Sequence, residues 1–428
     1  LGDTDASLLA LYRRDPASAA KRFGDAWGEW WRRTTGEATG QEPWLSSTRR
    51  KWSPFPKLGY WEQWDDPALA SFNGNVWARK QFTLTPAEAA KGATVSLGVI
   101  DDTDVTWVNG VVVGADFGWS RERSYAVSPG LLQAGENELV VFIGDSWGNG
   151  GFAGPADKLL LRFADGSTKP LGEGWEYSIE GRSLANPPHA PWESHTGLST
   201  TYNAMIAPLG SLSLKGAAWY QGESDVGVPG YQARLAALMA SWRRQFADPQ
   251  LPFLIVSLSS FGKPTSRPVA SGWAEVIDQQ RRAASADPNA ALVVSTDLGD
   301  AGDLHPPNKL DVGKRAALAA LKIAYGEDVA AGPMPLRATL EGTDIAVAFT
   351  GVSNALQSLS GAPIGFELCA ETQDSCRYAA AMVAGSAIKL RGDGRPVTRV
   401  RYAWSDVPVM NVYDSALLPI PPFELAVE

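Results

Sequence analysis

Apolar residues recur with one period at the start of this chain, another from about residue 71 and a third arrangement from about 217, so more than one kind of folding unit is required. Over residues 1–35, Leu8, Leu9, Leu11 and Tyr12, then Phe23, Trp27, Trp30 and Trp31, fall near the 3.6-residue period and predict helix. Residues 36–70 lose that pattern and carry Pro43, Pro54, Pro56 and Pro67, which predicts a long connector. From about residue 71 the period becomes two. Val76–Leu84, Thr94–Ile100, Val105–Val108, Leu139–Ile143 and Leu159–Phe163 read as strands, and Asn109-Gly110 is a type I′ hairpin signal. Short strands at regular spacing suggest a β-sandwich over 71–180.

Strand and helix then alternate. Ala217–Tyr220 is expected to be a buried strand, Phe253–Ser257 and Ala291–Ser295 two further strands. Helices are expected at Tyr231–Phe246, Ala274–Ala284 and Lys309–Tyr325, the last stopped by Gly326. This alternation predicts a parallel sheet. After Pro333 the chain reads as β to its end. A length of 428 residues is consistent with about two to four domains.

Composition excludes several functions. The 38 Lys and Arg against 47 Asp and Glu give a net charge of −9, with no basic block of the kind nucleic-acid binding needs. No apolar run approaches the roughly 18 residues of a membrane span. Three histidines and two cysteines match no zinc spacing, and neither a Walker A loop nor a dinucleotide-binding fingerprint is present, so no metal or cofactor is expected. Cys369 and Cys376 have six residues between them. A local disulfide, and with it an extracytoplasmic compartment, is the favoured reading; two reduced cysteines in a hairpin are the alternative. The 17 tryptophans suit either sugar stacking or core packing. In the connector, Trp44, Trp52, Trp61 and Trp64 are expected to pack between domains rather than line a sugar cleft.

Three segments carry candidate chemistry. His305 lies in Asp297-Leu-Gly-Asp-Ala-Gly-Asp-Leu-His-Pro306, after a predicted strand and before a helix, where open α/β sheets bind ligands. A catalytic imidazole needs a carboxylate; Asp303 is two residues away, with Asp300 and Asp297 as further candidates. The bland reading is an Asx-turn with a surface histidine. Trp219-Tyr-Gln-Gly-Glu-Ser-Asp225 ends another predicted strand. Gln221 offers an amide to a developing oxyanion, Glu223 and Asp225 offer positioning, and Ser224 lacks a nucleophile elbow. The bland reading there is a polar turn. Phe142-Ile-Gly-Asp-Ser-Trp147 looks like a nucleophile segment around Ser146, but the glycines and proline of 148–155 cannot form the helix such a serine requires. A sandwich loop is expected instead.

Taken together, Leu198–Leu209, Gly216–Asp225, Asp303–Lys309 with Val312–Arg315, and Val400–Phe423 resemble the sialate O-acetylesterase group of the SGNH hydrolase superfamily. The resemblance extends weakly into Val76–Lys80 and Ile100–Gly110. It implies an α/β fold: a flavodoxin-like parallel sheet of the SGNH hydrolase type, interrupted by an inserted β-sandwich (jelly roll) and followed by a C-terminal β-domain. The corresponding boundaries are 1–70 (helical segment and connector of the SGNH domain), 71–180 (sandwich), 181–332 (remainder of the SGNH domain) and 333–428 (β-domain). It further implies removal of acetyl groups from sugar hydroxyls by a Ser-His-Asp mechanism, in a periplasmic or secreted enzyme of polysaccharide or sialoglycan metabolism. His305 would be the general base, Asp303 its orienting acid, Gln221 near the oxyanion hole and Glu223 in support. The substrate would be an acetylated glycan, with sialic acid, xylan and xyloglucan all fitting. The family's nucleophile block, Gly-Gln-Ser-Asn, is absent, as are its oxyanion-hole blocks. A companion N-terminal polypeptide carrying the serine is therefore expected, with Ser224 or Ser146 as the less favoured substitutes. The competing functions are a non-catalytic carbohydrate-binding protein or inactive fragment and, more weakly, a glycoside hydrolase using Glu223 with an Asp.

Overall fold

The computed structural model describes residues 3–45, 50–128, 130–182, 184 and 187–428. The chain divides into two compact units, Leu1–Pro208 and Leu209–Glu428.

In the first unit the helical start is two helices, α1 (Asp3–Tyr12) and α2 (Pro16–Thr35). The single helical stretch expected from the apolar period breaks at 13–15. There Asp15 caps α2 by accepting the Ser18 N–H at 3.1 Å, and Pro16, which has no N–H to offer, starts it. Gly36 closes α2 at φ 74°, a conformation that suits glycine. The buried face of α2 presents Phe23, Trp27, Trp30 and Trp31. Trp27 meets Trp107 at 5.2 Å between ring centroids and Trp77 at 6.1 Å. Both partners are sandwich residues, so residues 1–35, expected to belong with the parallel sheet, have their core in the first unit. The connector tryptophans follow suit: Trp44, Trp61 and Trp64 are buried, and Trp44 stacks on Trp107 at 4.9 Å. Residues 46–49 of the connector lie outside the described residues.

The sandwich has two antiparallel sheets. The strands are β1 (Ser53–Pro54), β2 (Asn75–Leu84), β3 (Ala93–Asp101), β4 (Thr103–Val108), β5 (Val111–Phe117), β6 (Glu122–Val127), β7 (Gly135–Gly144), β8 (Gly151–Phe152), β9 (Leu159–Phe163), β10 (Thr168–Pro170) and β11 (Trp175–Glu180), with one helical turn, α3 (Pro86–Ala89), after β2. One sheet runs β1-β11-β2-β7-β4-β5 and the other β10-β9-β3-β6, with β8 on β3. Alternate residues of both sheets meet in one core, including Val76, Phe82, Val141 and Ile143 against Val95, Leu97, Leu161 and Phe163. Asn109 and Gly110 turn β4 into β5 at φ 47° and 80°, both left-handed as the type I′ turn demands.

The second unit begins with the alternating segment: β12 (Ala217–Tyr220), α4 (Tyr231–Gln245), β13 (Phe253–Val256), α5 (Gly272–Ser285), β14 (Ala290–Val293) and α6 (Lys309–Tyr325). The sheet order is β12-β13-β14 and both pairings are parallel, with Trp219 opposite Ile255 and Ile255 opposite Leu292. The expectation of a buried strand at 217–220 is corrected. As an edge strand β12 has one neighbour only, its side chains alternate between half-buried and exposed, and Tyr220 is 36% accessible.

The rest of the unit is β: β15 (Met334–Glu341), β16 (Asp344–Thr350), β17 (Leu356–Ser358), β18 (Phe366–Cys369), β19 (Arg377–Tyr378), β20 (Ala381–Ala384), β21 (Ala387–Leu390), β22 (Arg399–Tyr402), β23 (Val412–Asp414) and β24 (Phe423–Ala426). Sheets β15-β16-β21-β20 and β19-β18-β22-β24, with the pair β17-β23, enclose a core that includes Val347, Phe366, Ile388, Tyr402 and Phe423. Cys369 and Cys376 form the expected disulfide across the start of β19.

Phe366 and Leu368 face that core, so strand alternation turns Glu367 to the other face of β18. It is buried there, with one carboxylate oxygen unpartnered. Burial raises its carboxyl to about 7; Arg401 opposes the shift and Glu424 adds to it. A folded-state value above the ordinary 4.5 means that ionisation works against folding. Stability should be greatest below about pH 4.5 as far as this group is concerned, and should fall as pH rises through about 7. The full gap corresponds to roughly 3 kcal/mol. Glu367→Gln is therefore expected to raise the melting temperature at pH 8.5 and to leave it nearly unchanged at pH 4.5. Equal shifts at both pH values would contradict a buried, reluctantly ionised carboxyl.

Candidate active site

Three parallel strands end on the same side of the sheet, and the two polar motifs extend from those ends. The loop after β12 holds Gln221 and Glu223, and the loop after β14 holds Asp303 and His305. Tyr220 and Lys309 bring the two loops together, with the Lys309 ammonium 5.0 Å from the centre of the Tyr220 ring. The intervening loop after β13 is tied to the second of them. Ser260 donates its Oγ–H to the Thr296 carbonyl at 2.5 Å, and the Gly262 N–H donates to the Ala301 carbonyl at 3.1 Å. Gly299 is required by this approach, since a β-carbon there would lie 2.2 Å from the Ser260 nitrogen. Beneath, Tyr220 Oη, Ser259 Oγ and Ser295 Oγ are linked at 2.8 and 2.9 Å, and Ser295 Oγ–H donates to the Ser257 carbonyl. Such a satisfied buried network rigidifies the strand ends.

Gln221 is held on every side. Its carbonyl accepts from Tyr231 Oη–H at 2.8 Å and from Gln280 Nε2 at 2.9 Å. Its own amide donates to Asp225 Oδ2 at 2.8 Å. Asp225 is in turn paired with Arg234. Glu223 turns back on the loop and accepts the Gly222 N–H at 2.8 Å. Gly222 has φ 154°, and a β-carbon there would stand 3.0 Å from Val276. In this arrangement one N–H of the Gln221 amide is committed to Asp225, which leaves the second as the donor it can offer an oxyanion.

Around His305 the hydrogen bonds are local. Asp303 does lie beside it, but Asp303 Oδ1 accepts the His305 backbone N–H at 2.8 Å. This is an Asx-turn, the local bond that a carboxylate two residues earlier makes most readily. Among the described residues the imidazole, which is exposed, makes no side-chain hydrogen bond to Asp303, Gln221 or Glu223. Asp300 makes the same kind of turn with the Gly302 N–H at 2.8 Å. Asp297 is committed elsewhere. Arg315 grips both its oxygens at 2.6 and 2.7 Å, and Tyr413 donates to it at 3.1 Å. Of the three candidate acids, Asp297 is locked into an ion pair, whereas Asp300 and Asp303 bond only local backbone N–H groups.

The other candidates sit apart. Ser224 is exposed in the short turn after Gln221. In the first unit, Ser146 lies in an exposed loop after β7 and binds Asp102 through both Oγ–H, at 2.6 Å, and N–H, at 3.0 Å. No helix follows it. His189 pairs with Glu193 at 2.9 Å, which raises its pKa, and His195 lies 3.0 Å from the Phe117 carbonyl. Both histidines are thereby structural. Sequence reasoning missed Tyr231, Gln280 and Lys309. Gln280 lies in a polar run, Asp278-Gln-Gln-Arg281, that is buried in the middle of α5.

Both loops extend from the carboxyl ends of a parallel sheet, and residues 186–322, which include both motifs, match the family of carbohydrate esterases described as sialic acid-specific acetylesterases. The chain is thus sialate O-acetylesterase-like, as the motifs implied. It is 31% identical to the sialate O-acetylesterase of Mus musculus over 258 residues, 53% of this chain and 47% of the relative. It is 30% identical to that of Homo sapiens over 274 residues, 54% of this chain and 50% of the relative. It is also similar to the crystal structure of a carbohydrate acetylesterase from Xanthomonas citri, at 35% identity and a TM-score of 0.48 over 52% of each chain. The chain spans about half the length of the curated relatives it matches.

Proposed function

We propose that this chain is part of a carbohydrate O-acetylesterase, a carboxylic ester hydrolase of the SGNH type whose parallel sheet is interrupted by the jelly-roll sandwich. The observation that carries the reading is the convergence of the Gln221 and His305 loops at the carboxyl end of β12 to β14, inside the segment that matches the esterase family. In the proposed reaction His305 takes the proton from a serine hydroxyl as its oxygen attacks the acetyl carbonyl carbon. Backbone N–H groups, with the second amide N–H of Gln221, stabilise the tetrahedral oxyanion. His305 then protonates the departing sugar oxygen, water enters as the second nucleophile and acetate leaves. Asp303 supports the imidazolium. We assign the serine to a companion polypeptide segment. Ser224 is exposed in its turn and Ser146 is held by Asp102, while β12 offers an open edge at which a further parallel strand finds partners. The substrate is an acetylated glycan, with sialic acid, xylan and xyloglucan as the classes to compare. The Cys369–Cys376 disulfide supports a periplasmic or secreted location; among the described residues no helix is long and apolar enough to cross a membrane.

Labelling with a fluorophosphonate probe and mapping the labelled peptide tests the assignment. A labelled serine outside these 428 residues, with acetate released from an acetylated glycan, is the expected result. Label on Ser224 or Ser146 overturns the companion segment. Absence of label together with glycan binding favours a second reading, a carbohydrate-binding protein, for which the exposed Trp119 (67%) and Trp147 (84%) on sandwich loops speak.

A further inference from the structure

In the second unit, away from the strand ends, a cavity of about 540 Å³ opens between the C-terminal β-domain and the loop after β13. That volume is typical of small-ligand sites. Its floor is apolar, built from residues such as Pro363, Ile364 and Ala380, with the aromatic rings of Tyr378 and Trp404. The hydroxyl residues Thr265, Ser266 and Ser405 also line it. Behind this wall Trp404 Nε1 and one oxygen of Glu367 are fully buried, without a hydrogen-bond partner among the described residues, and do not face the cavity. No Lys, Arg or His lines the cavity. Arg401 stacks on the Trp404 indole at 4.5 Å, but it is bonded to Glu424 at 2.6 Å.

We infer that this cavity binds one uncharged sugar ring of a glycan, an apolar ring face against Tyr378 and Trp404 and hydroxyls on the polar wall. The aromatic and aliphatic floor suits the C–H face of a pyranose, the hydroxyls of Thr265, Ser266 and Ser405 suit its edge, and among the described residues the lining offers an anionic sugar no cation. The cavity is also joined to the candidate active site. Its Thr265 and Ser266 belong to the loop whose Gly262 bonds Ala301, four residues before His305, and whose Phe261 N–H bonds the Asp406 carbonyl, in the same loop as Trp404. The inference rests on the carbohydrate reading above and places a distal subsite beside it.

Saturation-transfer NMR on the whole chain tests this, with cellobiose as the neutral probe and N-acetylneuraminic acid as the anionic one. Binding is read without catalysis, so failure here and failure of the esterase reading are separable. Cellobiose is expected to bind with millimolar affinity, and N-acetylneuraminic acid not to displace it. Ala380→Trp fills the cavity from an exposed position and should weaken cellobiose about tenfold or more. Val409→Trp, at a 69% exposed lining position, does the same should the first variant melt early. In the complete esterase Ala380→Trp should raise KM for an acetylated oligosaccharide and leave turnover of a small acetyl ester unchanged. Undiminished cellobiose binding in both folded variants, no binding by the parent chain, or displacement by N-acetylneuraminic acid would each overturn the proposal.

Discussion

Acetate release is expected to fall by a factor on the order of 10³ when His305 is replaced by alanine, in protein assembled with its serine-bearing segment. The reason is that one imidazole performs two proton transfers, from serine on attack and to the sugar oxygen on departure. Among the three histidines, His189 and His195 are engaged in structural contacts. Retained acetate release in a folded His305→Ala variant would remove the assignment. The companion substitution is Asp303→Asn. Asparagine keeps an oxygen to accept the His305 N–H, so the Asx-turn survives while the negative charge is lost. A loss approaching that of His305→Ala assigns the charge to catalysis. Near-normal activity leaves Asp303 with the turn alone.

The second large effect is on folding. Asp104 and Arg123 are both fully buried in the sandwich and paired at 2.8 Å. Burial pushes the Asp104 carboxyl up, and Arg123, Thr106 and Tyr125 counteract this by bonding it. Arg123 also donates to the carbonyls of Gly118, Arg121 and Asp102, which closes two loop segments, 118–121 and the β3–β4 turn, around one guanidinium. Asp104→Ala leaves that cation buried without its counter-charge. The expected loss is about 3–5 kcal/mol, measured by denaturant unfolding of the chain. A loss below about 1 kcal/mol, the range of an exposed pair, would mean that water reaches the guanidinium once the carboxylate is gone.

Much of the architecture was legible because periodicity is a local property. The helices at 231 and 309, the strands at 253 and 291, and the hairpin at Asn109-Gly110 stand within a residue or two of where their apolar spacing and turn chemistry put them. The misreadings were of partners. Ala217–Tyr220 has the composition of a buried strand, but burial depends on how many strands flank it, and it has one. Leu8 to Trp31 looked like one helical stretch because the apolar period crosses the Arg13–Asp15 interruption. The residues around Gln221 and His305 were visible as polar, glycine-bearing segments after strands. Their hydrogen bonds were not, since those depend on Tyr231, Gln280 and Asp225 arriving from elsewhere.

The order of residues alone determined the succession of helical, sandwich, alternating and β segments, the pair of cysteines able to bridge, and the two motifs with esterase character. Each of these follows from spacing along the backbone, which sets side-chain direction over a few residues. Only the tertiary structure showed that Asp297 is taken by an arginine 18 residues further on and a tyrosine 116 residues away. Tertiary packing likewise gathered Trp27, Trp31, Trp44, Trp77 and Trp107 into a core. Burial and ion pairing are settled by what the rest of the chain brings to a position, and that is not a property of any local window.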